Sequence, residues 1–366
     1  MAGSVVVGMS GGVDSAVAAH ILKGQGYEVT GLFMKNWEED DAAEYCTALA
    51  DFGDAALVCD QLGIELLTAN FAVEYWDNVF EAFLDDYRDG YTPNPDVLCN
   101  REIKFKVFAD YARSLGFDTV ATGHYARRSA LGEPFRLLKS QDPDKDQTYF
   151  LQAVPASRLE HCLFPIGGLT KPEVRTRARS AGFEVHDKKD STGICFIGER
   201  RFNDFLGRYV RGEPGPIRDA DGTLLGKHRG LPFYTLGQRQ GIGLGGIRGR
   251  RERPWYVAGK DMATNTLTVT QDERDLETTW LHATELNWIS PSMGGSDGFR
   301  AAMRCAAKIR YRQPEQACEL EVDSECARVT FDTPQRAATP GQFVAFYDGD
   351  ECLGGGRIVE VGCPGG

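Results

Sequence analysis

Ser4-Val5-Val6-Val7-Gly8-Met9-Ser10-Gly11-Gly12-Val13-Asp14-Ser15 is the stretch whose reading decides the fold. Ser4 to Gly8 is a short apolar run, strand-like in its valines. Ala16 to Lys23 has helical character and stops at Gly24 and Gly26. The turn between them is glycine-rich, which permits backbone angles and close approaches that other residues cannot manage. Free amides at a helix start, joined by the hydroxyls of Ser10 and Ser15, suit phosphate oxygens. No lysine stands in the Walker position, and the pattern is not the dinucleotide GxGxxG fingerprint.

Outward from this turn the chain alternates. Tyr27 to Met34 reads as strand, Asp54 to Leu62 as helix, and Ile64 to Phe71 as strand. Glu102 to Leu115 reads as an amphipathic helix and Asp118 to Thr122 as another strand. That rhythm predicts an α/β domain with a parallel sheet covered on both faces. Ligands of such sheets gather at the carboxyl ends of the strands. Gly8 to Ser15 and Thr122-Gly123-His124 both fall there. After about Cys195 the texture changes. Residues 212–250 are rich in Gly and Pro, and residues 281–362 alternate with period two, as in Ala327-Arg328-Val329-Thr330-Phe331. The latter pattern predicts an antiparallel barrel or sandwich. The expected domains are 1–200, 201–280 and 281–366.

With 366 residues the chain is too long for one small core, and 42% hydrophobic with 26% charged residues suits a globular protein. No apolar run is long enough for a membrane helix, and Met1 to Val7 lacks a signal-peptide pattern. The cytosol is therefore the expected compartment, and a monomer the default state. A net charge of −12 argues mildly against nucleic-acid binding. Three basic runs work the other way: Arg200, Arg201, Arg208 and Arg211; Arg248, Arg250, Arg251 and Arg253; and Arg304, Lys308, Arg310 and Arg312. Each run alone reads equally well as a solvated face; together they favour a phosphate-facing surface.

None of the ten cysteines forms a C-x-x-C pair, which disfavours a zinc ribbon or a local redox motif. Two cysteines stand out by their neighbours. In Asn94-Pro95-Asp96-Val97-Leu98-Cys99-Asn100, Asn94 suits an N-cap and Pro95 the first helical position. Asp96 and Cys99 then share a face of the first turn, where the helix dipole favours a thiolate. Asp96 opposes the thiolate but suits acid–base work. In Asp190-Ser191-Thr192-Gly193-Ile194-Cys195-Phe196-Ile197-Gly198-Glu199-Arg200-Arg201, glycines predict a loop, and the flanking Lys188, Lys189, Arg200 and Arg201 favour a thiolate able to accept sulfur. From local features, an inert first-turn cysteine and a structural loop cysteine fit these positions equally well.

Ser10-Gly11-Gly12-Val13-Asp14-Ser15 resembles the pyrophosphatase loop of the PP-loop ATPases, which cleave ATP between the α and β phosphates. Many members carry another serine where this chain has Ala16, a change that leaves the loop amides in place. Further motifs follow in order: Gly31-Leu32-Phe33-Met34-Lys35-Asn36-Trp37, Thr92 to Asn100, Ala121 to Tyr125, Lys145-Asp146-Gln147, Asp190 to Arg201, Tyr234 to Arg239, Arg310-Tyr311-Arg312-Gln313 and Thr339-Pro340-Gly341-Gln342. With them the whole chain resembles the tRNA-uridine 2-sulfurtransferase family.

The resemblance implies an adenine nucleotide alpha hydrolase-like PP-loop domain, a small central domain and a C-terminal β-barrel that contacts tRNA. It implies ATP binding by Gly8, Met9, Ser10, Gly11, Gly12, Val13, Asp14, Ser15, Met34 and Gly123, with Asp14 placed to orient Mg²⁺. Asn94, Pro95 and Asp96 would meet the target base, Cys99 would be the nucleophile, and Cys195 the persulfide carrier. His124, Lys145, Asp146, Gln147, Arg310, Tyr311 and Gln342 would contact tRNA. The implied reaction is 2-thiolation of the wobble uridine of tRNAs for Lys, Glu and Gln, with a cysteine desulfurase or a sulfur-relay protein as donor. A different reading makes Asp96, Cys99 and Cys195 ligands of an iron–sulfur cluster. Two rivals explain less. A small-molecule PP-loop synthetase leaves the cysteines unused, and a non-catalytic RNA-binding protein leaves the phosphate loop idle.

Overall fold

The computed structural model describes residues 3–37, 48–190, 202–245, 253–293, 302–323 and 325–363. Its first sheet is fully parallel. β1 (Ser4–Met9) lies between β2 (Glu28–Lys35) and β4 (Val120–Ala121), with β3 (Leu66–Asn70) outside β2 and Cys162–Leu163 outside β4. Successive residues of β1 serve opposite faces, because side chains alternate along a strand. Val6 packs with Leu32, Phe80 and Phe108 on one side. Val5, Val7 and Met9 pack with Val17, Phe33, Val58 and Val174 on the other. A strand buried on both faces must be apolar throughout, and this is why the opening valines form one unbroken run.

Two helices depart from the sequence reading. α1 runs Val13–Gly24, so it begins inside the glycine-rich stretch rather than at Ala16. Residues 95–114 form one continuous helix, so the turn capped by Asn94 and the helix read from Glu102 are a single element, which stops short of Leu115. Its centre, Cys99–Val107, is π-helical. The wider turn shifts the apolar period, so the α-helical pattern shows only in the later part; π segments recur at functional sites.

A second sheet, Tyr256–Asp261, Thr266–Thr270, Gly215–Asp219 and Leu224–His228, has its own small core of Ile217, Leu231, Trp255, Val257 and Leu267. The last part of the chain resolves the choice between barrel and sandwich. Strands Glu277–Trp288, Ala327–Arg336, Gln316–Val322, Met303–Lys308, Phe343–Asp348 and Glu351–Gly362 follow one another in antiparallel pairs, and the first pairs with the last, closing a barrel. Leu281, Leu320, Val329, Phe346 and Ile358 fill it.

The barrel is fused to the first domain rather than tethered to it. Strand Leu137–Lys139 pairs with Glu351 and Cys352, extending the barrel sheet with a hairpin from the α/β part. Phe343, Ala345, Tyr347 and Cys352 belong to the same apolar core as Phe80 and Phe108. The Tyr149 hydroxyl donates to the Phe343 carbonyl at 3.0 Å, and Asn287 donates to the carbonyls of Gln152 and Val154. Among the described residues no helix is long and apolar enough to cross a membrane.

Candidate functional site

The phosphate-loop candidate sits at the carboxyl end of β1, as the sequence predicts. Gly12 caps α1 without a side-chain bond, so no side chain closes over the helix start. Gly11 has φ +71°, and a Cβ on it would lie 2.2 Å from the Asp51 carbonyl oxygen. Only glycine fits there. Ser15 is turned inward: its hydroxyl donates to the Gly12 carbonyl at 3.0 Å and accepts from the Ser10 amide at 3.2 Å. The exposed Ser10 and half-buried Gly8, Gly12 and Asp14 face outward, whereas Met9 and Val13 are buried and offer only backbone. Gly123 abuts the loop; a Cβ there would meet the Asp14 carbonyl carbon and the Ser15 nitrogen, each at 2.8 Å. Met34, at the end of β2, is half-buried.

Beside the loop lies a charge network that the sequence reading missed. The Lys171 ammonium donates to both Asp14 carboxylate oxygens at 2.8 Å and pairs with Asp190 at 2.7 Å. Tyr125 donates its hydroxyl to Asp14 at 2.8 Å. Lys145 and Arg175 also hold Asp190; burial pushes its carboxyl up, but the hydrogen bonds and charges of Lys145 and Lys171 outweigh this and keep it below its ordinary range. Lys188 donates to the Gly11 carbonyl and to Asp51 and Asp54. A local signal for Lys171 existed. Thr170 and Glu173 form a capping box with Pro172 in the first turn, and a lysine at that end of a helix is electrostatically misplaced unless an anion faces it.

Around Cys99 the local reading holds in its geometry. Asn94 caps the helix, accepting from the Val97 amide at 3.4 Å, with Pro95 in the first turn. Cys99 is buried, at 1% exposure. Burial pushes the Asp96 carboxyl up, partly offset by Lys104. The cap is held from the barrel. Gln342 donates to the carbonyls of Thr92 and Pro93 at 2.7 and 3.1 Å, and Asn94 donates to Gln342 at 3.4 Å.

The Cys99 helix then reaches the phosphate loop. Phe105 packs on the His124 ring, centroids 5.6 Å apart, and a Cβ on Gly8 would touch Phe108 at 3.5 Å. His124, next to Gly123, is bonded through Nδ1 to the Thr122 hydroxyl at 2.8 Å, and burial drives its pKa well down, holding the ring neutral. Loop, His124 and Cys99 helix thus converge at the carboxyl ends of the central strands. Cys195, Arg200 and Arg201 lie outside the described residues, as do Arg248, Arg250 and Arg251.

The remaining candidates gather at the seam between barrel and α/β domain. Tyr311 packs on Phe150 with ring centroids 4.5 Å apart and planes tilted by 40°, and its hydroxyl donates to the Lys145 carbonyl at 3.3 Å. The Gln147 side chain accepts from the Tyr125 amide at 2.9 Å. Asp146 is 4% exposed and accepts from the Ser140 amide and the Thr148 hydroxyl, so its carboxylate braces the turn that presents Lys145. The third basic run does not form one face. Arg304 pairs with Asp332, and Lys308 is buried against Asp146 and Glu315, leaving Arg310 and Arg312 exposed beside the seam. Among the described residues no group of three or more His, Cys, Asp or Glu side chains is placed to hold a metal, and the proposed cluster ligand Cys195 is not among them.

Comparison with known proteins agrees along the full length. Residues 3–199 match the family described as the tRNA methyl transferase HUP domain, 203–271 its PRC-barrel domain, and 278–358 the aminomethyltransferase β-barrel domain. A protein of Hahella chejuensis named tRNA-specific 2-thiouridylase MnmA is 56% identical over 98% of this chain and 97% of its own. One of the same name from Pseudomonas entomophila is 56% identical over 98% of this chain and 95% of its own. A solved 4-thiouridine synthetase–RNA complex with bound ATP covers 57% of this chain and 50% of its own at 16% identity, with a TM-score of 0.35, too low to compare sites.

Proposed function

The chain belongs to the tRNA-specific 2-thiouridylase family, and from that membership we propose that it thiolates C2 of the wobble uridine in tRNAs for Lys, Glu and Gln, using ATP. The supporting observation is the convergence of the phosphate loop and the Cys99 helix through His124 and Phe105. A ring carbonyl oxygen is a poor leaving group. In the proposed first step O2 of the uridine attacks the α-phosphorus of ATP and pyrophosphate leaves. The loop amides from Gly8 to Ser15, with Met34 and Gly123, hold the nucleotide during that step. Mg²⁺ carried by the phosphates would neutralise the leaving pyrophosphate, and Asp14, the loop carboxylate, would be its protein ligand if it exchanged the Lys171 and Tyr125 hydrogen bonds it makes here.

In the second step a persulfide on Cys195 supplies sulfur to C2, and AMP departs with the former O2. Either the terminal sulfur attacks directly, or Cys99 attacks the persulfide and frees hydrosulfide beside the base. In the direct route Cys99 then attacks the Cys195 sulfur and the thiolated base leaves, so both routes end in a Cys99–Cys195 disulfide that a thiol reductant must reopen. Asp96, whose carboxyl is raised by burial, handles protons near the base. Asn94, Pro95 and Asp96 receive the base, which leaves its stack to reach them. Lys145, Gln147, Arg310, Tyr311 and Gln342 form the tRNA-facing seam, and the buried His124 and Asp146 hold its turns from within. The sulfur donor is a cysteine desulfurase or a relay protein, and the functional units are 1–200, 201–280 and 281–366.

The test is an in vitro reaction with tRNA, ATP-Mg²⁺ and a persulfide source, read by nucleoside mass spectrometry. Accumulation of 2-thiouridine with one AMP per thiolation is expected; AMP release without thiolated tRNA would refute the assignment.

A further inference from the structure

The barrel carries a second pair of thiols that this chemistry does not use. Cys305 and Cys318 stand directly opposite each other in the antiparallel strands Met303–Lys308 and Gln316–Val322. Their sulfurs are 3.7 Å apart. Cys318 is fully buried in the barrel core, and Cys305 is half-buried beside it. Directly opposed side chains have Cβ atoms about 4.5–5.5 Å apart, and a disulfide needs about 3.5–4.5 Å, so a small approach of two strands already paired suffices. The strands flank the turn that carries Arg310, Tyr311, Arg312 and Gln313.

We infer that Cys305 and Cys318 are a two-electron oxidation site, closed by hydrogen peroxide into a disulfide that staples the hairpin bearing Arg310 and Tyr311. The Cys305 thiolate attacks one peroxide oxygen, breaking the O–O bond; it becomes a sulfenic acid and the other oxygen leaves as water after protonation. The Cys318 thiol then attacks the Cys305 sulfur, expelling a second water. Two thiols are oxidised and one peroxide is reduced to two waters. The division of roles follows from the environment. The hydrogen bond from Cys318 lowers the Cys305 thiol, whereas Cys318 is pushed up by the same neighbour and by burial. Elsewhere, burial is the main cause that pushes Cys59 up to about 11 and Cys162 and Cys352 up to about 12, which keeps them unreactive.

The experiment treats the reduced full-length protein with hydrogen peroxide, blocks free thiols, and maps peptides without reduction. A linked Cys305–Cys318 peptide pair is expected, together with at least several-fold slower amide exchange across residues 309–315. Cys305→Ser removes the linked pair and leaves Cys318 as a free thiol; Cys318→Ala leaves Cys305 trapped as a sulfenic acid that a dimedone probe captures. Recovery of both cysteines as free thiols, at peroxide exposures that already oxidise other cysteines, would overturn the inference. So would a linked pair with unchanged exchange in the turn, as regards the staple. Neither outcome bears on the thiolation assignment, which is read from tRNA.

Discussion

The two ends of the candidate site are built in opposite ways. At the phosphate loop the contacts are short in sequence: Ser10 to Ser15 and Ser15 to Gly12 span five and three positions. At the base end the cap of the Cys99 helix is gripped by Gln342, about 250 positions away. The turn of the nucleotide end is therefore braced locally, although Tyr125, Lys171 and Lys188 reach it from distant parts of the same domain, whereas the grip on the base end exists only once the barrel has docked. A fused barrel, sharing a sheet and a core with the α/β domain, makes such a distant grip dependable. Damage to the local end should remove nucleotide chemistry and spare tRNA binding; damage to the long-range end should do the reverse.

The sharpest break is between chemistry and binding. Cys99→Ser or Cys195→Ser should each lower 2-thiouridine formation by about 10⁴-fold or more, the scale of losing a nucleophile, while ATP affinity stays within about twofold. Single-turnover nucleoside analysis beside equilibrium ATP binding checks this. Wild-type product from either variant would remove the two-thiol scheme.

Next come the glycines. Gly123→Ala would drive a methyl into the backbone of Asp14 and Ser15, an overpacking of about 1–3 kcal/mol. ATP binding should weaken by about tenfold or more, with tRNA affinity unchanged in a filter-binding assay. A parallel loss of tRNA binding would show that the two ends are not separable.

Lys171 tests whether the loop is as local as it looks. Lys171→Met leaves Asp14 and Asp190 without their shared cation. Pyrophosphate release should fall by about 10–100-fold. If the two ion pairs act as a unit, Lys171→Met combined with Asp190→Asn should cost less than the sum of the single changes, by about 0.5–3 kcal/mol. Strict additivity would confine the effect to Asp14.

This contrast also explains what could be read from the sequence. The β1–loop–α1 unit, the Asn94 cap and the period-two barrel strands are set by neighbours within a few residues, so their residues announce them. Lys171 contacts Asp14 across 157 positions, and no local pattern records that distance. Barrel closure between Trp280 and Gly362 is equally remote, so sandwich and barrel read alike. The Asn94 cap announces the first turn of the Cys99 helix, but the continuity of that turn with the helix read from Glu102 is masked by the π-helical stretch, whose period is not that of an α-helix. The basic run from Arg304 to Arg312 looked continuous because sequence does not show Asp332 and Asp146 arriving from other elements.

Gln342→Ala probes the long-range grip with a smaller effect. It removes the donor to Thr92 and Pro93, worth about 0.5–1.5 kcal/mol per hydrogen bond. The KM for tRNA should rise severalfold with ATP affinity unchanged. An effect on ATP alone would reverse the division drawn above.

The smallest effect is a pH slope, and it comes from where the two ends meet. Burial holds His124 neutral in the folded protein, whereas in the unfolded chain it titrates near about 6.5. Below that pH the unfolded state binds a proton that the folded state refuses. Stability from this group is therefore present above about 6.5 and is lost as pH falls through it. Asp96 has the opposite sign: its folded carboxyl is raised, so its contribution is present at low pH and is lost as pH rises above about 3.9, the unfolded carboxylate value. His124→Gln should flatten the fall in stability as pH drops below about 6.5, and Asp96→Asn should flatten the opposing trend as pH rises above about 3.9, both read by urea denaturation. A His124→Gln protein with the wild-type slope would mean that the histidine is open to solvent when folded, and the packing of Phe105 against it could not be the joint between loop and cysteine helix.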